Sequence, residues 1–210
     1  MLIAKGCLSW VLPPILGDLL FLYLTWAYGL AYLAGLIPLL AVTVFFLIFF
    51  RDPTRVIGPG IVSPADGRIR DIKVTDQETF ISVFMEVNNV HVNRMPLNGT
   101  VKKMVHFPGT HLRAWKKESD LNERVTIDLE TPLGPVKVVQ LAGLIARRVY
   151  PYIKDGDVLK KGDKIGIIRL GSRVDVHLPA DKIKQVTVKV GDPVYAGITT
   201  IAEPKENTRV

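Results

Sequence analysis

The stretch Leu8–Phe50 reads LSWVLPPILGDLLFLYLTWAYGLAYLAGLIPLLAVTVFFLIFF, and across its 43 residues the only formally charged side chain is Asp18. As a single helix it would run about 65 Å, roughly twice a ~30 Å hydrocarbon core. The physical reading is two crossings joined by a tight turn near Gly29–Gly35, where glycine and aromatic residues cluster. Trp10 marks one interface; Trp26, Tyr28 and Tyr32 mark the other. Lys5 flanks the first crossing, and Arg51 and Arg55 flank the second. The positive-inside rule then puts both ends, and the large domain that follows, on the cytoplasmic side of a cell membrane. Two other readings stay open: a secretory signal cleaved near Ala27–Tyr28–Gly29, and a shallow re-entrant hairpin. A carboxylate such as Asp18 inside an apolar run is costly and invites a functional reading. Its plainer reading is a group that stays protonated or reaches water through the hairpin.

Outward from this stretch the texture changes. The chain has 210 residues and a formal net charge of +7. Residues 52–210 hold 25 of the 27 Lys/Arg and 19 of the 20 Asp/Glu. The expected organisation is therefore a membrane-anchoring hairpin over 1–50 and an ordinary basic domain over 51–210. A hydrophobic content of 48% excludes a disordered chain. Cys7 is the only cysteine, which excludes a disulfide scaffold and suits a reducing compartment. A basic domain tethered to a bilayer meets anionic lipid more simply than nucleic acid, since no RNP-like aromatic motif accompanies the charge. No P-loop, dinucleotide fingerprint or Cys/His zinc spacing occurs. His106 and His111 are five apart, but Pro108-Gly109 breaks any helix that would bring them to one face, so no metal site is expected.

The second domain reads as mainly β. Phe80-Ile81-Ser82-Val83-Phe84 is a strand, Val90-His91-Val92-Asn93 is short and extended, and Asn98-Gly99 is a hairpin signal. Val125–Leu129 alternates, then Leu133-Gly134-Pro135 turns into Val136–Val139. A short helix is conceivable only near Ala142–Val149. The last sixty residues repeat an apolar residue, then Gly-Asp, then an apolar strand: Gly156-Asp157, Gly162-Asp163 and Gly191-Asp192. Glycine supplies a positive φ and aspartate caps the turn. Such turns recur in biotinyl/lipoyl-like sandwiches, which is the expectation for the C-terminal end; simple hairpin turns are the alternative.

Within Ile168–Val176, Gly171-Ser172 sits between strand formers, a sharp turn that exposes a hydroxyl or merely reverses the chain. It is not the Gly-x-Ser-x-Gly elbow of hydrolases. Asp66 lies in a Pro-Ala-Asp-Gly turn, where a capping carboxylate is the plain reading. His91 in a short strand is by itself a packed or surface histidine.

Taken in order, five motifs carry a resemblance. They are Phe49-Phe50-Arg51-Asp52-Pro53-Thr54-Arg55, Ser63-Pro64-Ala65-Asp66-Gly67, Asn89-Val90-His91-Val92-Asn93-Arg94-Met95-Pro96, Asn122-Glu123-Arg124-Val125 and Leu170-Gly171-Ser172. From about Phe49 to Ile201 the chain resembles the phosphatidylserine decarboxylase proenzymes, of the short type found in many bacteria and archaea. The resemblance implies self-cleavage between Gly171 and Ser172, giving a large chain 1–171 and a small chain 172–210 that stay together as a heterodimer, with further association into oligomers. It implies that Ser172 becomes a covalent pyruvoyl group that takes the substrate amine as a Schiff base, with no metal. His91 would take the serine proton and Asp66 would orient its imidazole, by the logic of hydrolytic triads. The implied substrate is a serine phospholipid, phosphatidylserine or archaetidylserine, and the implied product is the ethanolamine lipid and carbon dioxide.

The resemblance has one departure. Longer relatives carry a second histidine where Arg94 stands here, so His91 combines both roles or another group takes one; His177 is a candidate only by its nearness to Ser172. Lys102, Lys103, Arg113, Lys116 and Lys117 could bind a lipid phosphate, though a solvated face explains each. The resemblance is to proteins often described as peripheral, whereas this hairpin is apolar enough for integral behaviour. Two rival functions are a membrane-tethered biotinyl/lipoyl-like carrier, which lacks its Met-Lys-Met mark here, and a membrane serine peptidase.

Overall fold

The computed structural model describes residues 2–109, 122–143, 148–169 and 172–205, and it divides into two units, Met1–Pro53 and Thr54–Val210. In the first unit, strand β1 (Leu2–Ile3) leads into helix α1 (Leu8–Tyr28); a single 3-10 turn at Leu30–Tyr32 reverses the chain into helix α2 (Leu33–Phe49), and strand β2 (Arg51–Asp52) returns to pair with β1. Both apolar segments are long enough to cross a membrane. Small residues let the helices approach closely: a Cβ at Gly17 would lie 2.6 Å from Leu39, and one at Gly35 would lie 2.2 Å from the Phe21 ring. Asp18 is tied to the opposite helix, where Thr43 Oγ1 donates to its Oδ2 at 2.6 Å. The expected turn near Gly29–Gly35 thus falls at its first four residues, and Asp18 joins the two helices.

Among its described residues the second unit has fourteen strands: β3 (Ile61–Val62), β4 (Gly67–Val74), β5 (Glu78–Met85), β6 (Val92–Arg94), β7 (Gly99–Phe107), β8 (Arg124–Thr131), β9 (Gly134–Ala142), β10 (Val149–Pro151), β11 (Val158–Leu159), β12 (Lys164–Ile168), β13 (Ser172–Pro179), β14 (Ile183–Val186), β15 (Pro193–Val194) and β16 (Thr200–Pro204). Eight of them form one antiparallel sheet in the order β11-β7-β8-β9-β13-β5-β4-β15. Two three-stranded sheets, β10-β12-β6 and β14-β16-β3, complete the unit. Successive side chains on a strand point to opposite faces. Ile81 and Val83 of β5, Val138 of β9, and Val174 and Val176 of β13 therefore share one face of the large sheet, all fully buried. Ile61, Val149, Ile165 and Ile201 from the small sheets join them in one core. Each such side chain contributes about 1.5–3 kcal/mol on burial.

The Gly-Asp repeats are turns of one kind. In Lys154–Asp157, Lys160–Asp163 and Lys189–Asp192, the lysine N–H donates to the carboxylate three residues on, at 2.7–2.9 Å. The third residue of each is a glycine at φ 87–94°, a region costly for any residue with a Cβ.

One expectation is not confirmed, one needs correction and one falls on residues outside the described ones. A biotinyl/lipoyl-like sandwich at the C-terminal end is not confirmed. β11, β13 and β15 add to strands from earlier in the chain, and β14 and β16 pair with each other beside β3. Asn98-Gly99 is not a hairpin: β6 pairs with β12 and β7 with β8 and β11, while Asn98 Oδ1 accepts from the Lys161 N–H. Near Ala142–Val149, both flanking residues are strand, and 144–147 lie outside the described residues.

Candidate active site

Strand β13 lies in the middle of the large sheet, between β9 and β5. Its first residue, Ser172, pairs in register with Met85 on one side and Ala142 on the other. Its side chain shares the core face with Val174 and Val176 and is fully buried. A buried hydroxyl needs an acceptor, and the Ser172 O–H donates to Met85 Sδ at 3.3 Å. A thioether is a weak acceptor. The same sulfur receives the Asn93 amide, Nδ2 to Sδ 3.6 Å. Asn93 is oriented in turn by Gln140, whose Nε2 donates to Asn93 Oδ1 at 2.7 Å. Asn93 and Gln140 are both fully buried, so serine, thioether and two amides form one internal polar chain.

The Asn122-Glu123-Arg124 motif brackets the other side. Asn122 Nδ2 donates to Ala142 O at 2.8 Å, and the Ala142 N–H donates to Glu123 O at 2.9 Å. Glu123 Oε1 also accepts from the Val149 N–H and from His106 Nε2. The motif thereby fixes the strand end that Ser172 pairs with.

His91 is fully buried, and its backbone oxygen accepts from the Ile168 N–H at the end of β12. Its Nδ1 lies 2.9 Å from Asn89 O. A carbonyl only accepts, so Nδ1 carries the proton and Nε2 of the neutral ring holds the lone pair. Asp66 is also buried, but it is turned elsewhere. Its Oδ2 pairs with Arg55 Nη2 at 2.8 Å, and its Oδ1 accepts the Ala196 N–H at 2.8 Å. Arg55 Nη1 donates to Ala196 O at 3.1 Å, so the ion pair grips both polar groups of that residue's main chain. Among the described residues Asp66 bonds Arg55 and Ala196 and Ser172 bonds Met85, and the contact expected of Asp66 on the imidazole is made by Asn89 O. Gly171 lies outside the described residues.

Arg94 is buried and links two other motifs: its N–H donates to Pro64 O, and its Nη1 donates to Gly162 O at 3.0 Å. His177 points to the opposite face of β13 from Ser172. There it meets Glu78 Oε1 at 2.6 Å and the Phe80 ring edge-on. That face also holds Asp175, which accepts from Ser82 Oγ at 2.6 Å and pairs with Arg173. Burial pushes the Asp175 carboxyl above its usual range, with Arg173 and Ser82 pulling the other way. A hollow of about 1090 Å³ over this face is lined by Phe80, Arg124, Lys137, Arg173, Asp175 and His177. It includes none of Ser172, His91 and Asp66. Lys102 and Lys103 are exposed on β7, and Arg113, Lys116 and Lys117 lie outside the described residues.

Sequence reading assigned no part in the site to Met85, Asn93 or Gln140, and gave Arg55 only a place flanking the second crossing. Asn93 and Arg55 stood inside quoted motifs, whereas nothing local marks Met85 or Gln140.

Comparison with known proteins bears on the same residues. A family model described as phosphatidylserine decarboxylase matches residues 42–202. A "Phosphatidylserine decarboxylase proenzyme" of Streptomyces avermitilis is 43% identical over 201 residues, 95% of this chain and 92% of the relative. The "Putative archaetidylserine decarboxylase proenzyme" of Methanococcoides burtonii is 42% identical over 97% of both chains. A "Phosphatidylserine decarboxylase proenzyme" of Oleidesulfovibrio alaskensis is 45% identical over 169 residues, 75% of this chain and 77% of the relative. The match takes in the buried residues 61–67, the strand after His91 and the start of β13, and the chain belongs to the phosphatidylserine decarboxylase family of carboxy-lyases.

Proposed function

We propose that this chain is a proenzyme that cuts itself between Gly171 and Ser172, and that the product decarboxylates a serine phospholipid, phosphatidylserine or archaetidylserine, at the cytoplasmic side of a membrane. The observation that carries the reading is the buried Ser172 hydroxyl at the start of the central strand, resting on a thioether. A thioether is a poor partner for a hydroxyl, so little holds the proton in place. In the proposed step the hydroxyl leaves Met85, gives its proton to His91 Nε2 and attacks the Gly171 carbonyl. The amide becomes an ester and the Ser172 nitrogen takes a proton. Elimination then frees the Gly171 carboxylate, and water releases ammonia from the new chain end, leaving a pyruvoyl group on 172–210.

The surroundings fit such a group. It is uncharged, with a keto oxygen on Cα in place of the Ser172 nitrogen and a methyl where the hydroxyl-bearing carbon was, and so suits a buried position beside the Met85 thioether. When formed, the pyruvoyl supplies an electron-withdrawing carbonyl that lets the carboxylate of a bound serine head group depart as carbon dioxide. The chain's own residues do the remainder. His91 holds and returns a proton, with its tautomer set by Asn89 O. Buried apolar neighbours such as Val174 keep water from the reacting carboxylate. Asp66, with Arg55, holds Ala196 of the small chain to the large one. The two apolar helices support an anchor in the bilayer that contains the substrate, which raises its effective concentration.

The test is turnover. Purified protein in vesicles is expected to release carbon dioxide from phosphatidylserine or archaetidylserine, and Ser172→Ala is expected to release none. Wild-type protein inert toward both lipids would overturn the reading.

A further inference from the structure

We infer that the end of the large sheet carrying Ser172 is a docking face for an anionic bilayer, with Phe107, Tyr150 and Tyr195 as its interfacial rim. The inference deepens the proposed function, since it assigns the route by which a lipid head group meets Ser172.

Register defines that end. Ser172 pairs with Met85 and Ala142, Arg124 with Leu141 and Phe107, and Arg68 with Phe84 and Pro193. The last residue of β7, the last of β5 and β9, and the first of β8, β13 and β4 are therefore neighbours along one edge of the fold. Beyond Pro53, the exposed aromatic side chains among the described residues are Phe107, Tyr150 and Tyr195. All three belong here. Phe107 ends β7, Tyr150 follows the residue bonded to Glu123, and Tyr195 follows the strand beside Gly67.

Two of the three rings carry an arginine, and the third lies beside the buried Arg55–Asp66 pair. The Arg124 guanidinium lies 4.5 Å from the Phe107 ring centre, and that of Arg169 lies 5.4 Å from Tyr150. Arg55 bonds the main chain of Ala196, next to Tyr195. Exposed Val56, Ile57 and Ile198 extend the patch, with Gly58 N–H bonded to Gly197 O to hold the two segments side by side. Aromatic rings beside cations on an apolar surround are the composition of a membrane interface, where the ring sits at head-group level and the cation meets phosphate. Arg148 adds charge of the same sign at this end, while Arg68 is paired with Glu86.

The opposite end differs. Among the described residues its exposed apolar side chains are valines, Val74 and Val158, and its carboxylates Glu130 and Asp181 are paired with Lys102 and Lys182. Among the described residues that end offers no exposed aromatic ring to seat at head-group level. Chain continuity agrees with this polarity. Arg55 lies six residues beyond Phe49, the end of α2, a reach of about 20 Å at most. It is anchored at Asp66 and Ala196, so the chain coming from the apolar hairpin enters the catalytic unit at the Ser172 end.

Two measurements on the full chain test this. In a Cys7→Ser background, spin labels are placed at Phe107→Cys, Tyr150→Cys and Tyr195→Cys, with Val74→Cys and Val158→Cys as exposed apolar controls. In vesicles of phosphatidylcholine and phosphatidylglycerol, the first three are expected to collide with a water-soluble nickel chelate about fivefold less often than the controls. Equal accessibility at all five positions overturns the inference. The triple variant Phe107→Ser, Tyr150→Ser, Tyr195→Ser is then assayed on two substrates. Apparent KM for vesicular serine phospholipid is expected to rise about tenfold, with turnover of a monomeric short-chain serine phospholipid unchanged. Equal loss on both substrates overturns docking as the role of these residues. Wild-type protein that turns over neither substrate refutes the decarboxylase reading instead, and the labels still decide the docking face.

Discussion

Ser172 and Met85 are register partners across β13 and β5, and the serine hydroxyl donates to the methionine sulfur at 3.3 Å. The reacting group of the proposed self-cleavage thus rests on one of the weakest acceptors available to a protein. Met85→Leu removes the acceptor and keeps the volume, and is expected to cleave at least as fast as wild type. Met85→Gln offers an amide oxygen that binds the hydroxyl about 1 kcal/mol more tightly, and is expected to slow cleavage about fivefold. The check is the fraction of cut chain against time on a denaturing gel.

His91 is expected to be the proton acceptor because Asn89 O fixes its tautomer. Removing a positioned general base typically costs about 10²–10⁴ in rate. His91→Ala should therefore leave the chain almost entirely uncut over the time in which wild type matures, while circular dichroism stays native. His91→Ala that matures at the wild-type rate would remove the residue from the mechanism.

Arg55 and Asp66 form an ion pair whose side chains are 6% and 5% exposed. Removing one partner strands a buried charge, at a cost of about 3–5 kcal/mol. Arg55→Met is expected to lose stability on that scale by urea unfolding of the uncut Ser172→Ala protein. Adding Asp66→Asn to the same protein is expected to recover a good part of it.

Asp175 gives a pH dependence of known sign. Burial raises its folded-state pKa above that of the unfolded chain. Its contribution is then fully present below the unfolded carboxylate pKa of about 4 and fades as pH rises through the folded value. Wild type should gain stability relative to Asp175→Asn as pH falls from neutral toward that range. Unfolding midpoints of the two proteins, compared across pH, check this; a difference that does not change with pH would contradict it.

Much of the first unit was legible in the sequence because charge is nearly absent from Leu8–Phe50, and a run twice the bilayer thickness must fold back. The Lys-x-Gly-Asp turns were legible too, since donor, acceptor and positive-φ glycine lie within four residues. Sheet order was not. β13 sits between β9 and β5, partners far away in the chain, and no local pattern encodes that choice. The same holds for the site. Ser172 meets Met85 from 87 positions away, and Asn93 meets Gln140 from 47. Asp66 was recognisable as a motif residue, but its partner depends on where Arg55 and Ala196 arrive, and only the fold brings them to it.

The most direct measurement of the central claim is the intact mass of the purified protein. The account expects two chains, 1–171 and 172–210, the smaller one without a free amino terminus, and a single 23.3 kDa chain for Ser172→Ala. A wild-type preparation that decarboxylates serine phospholipid while remaining one 23.3 kDa chain would contradict it.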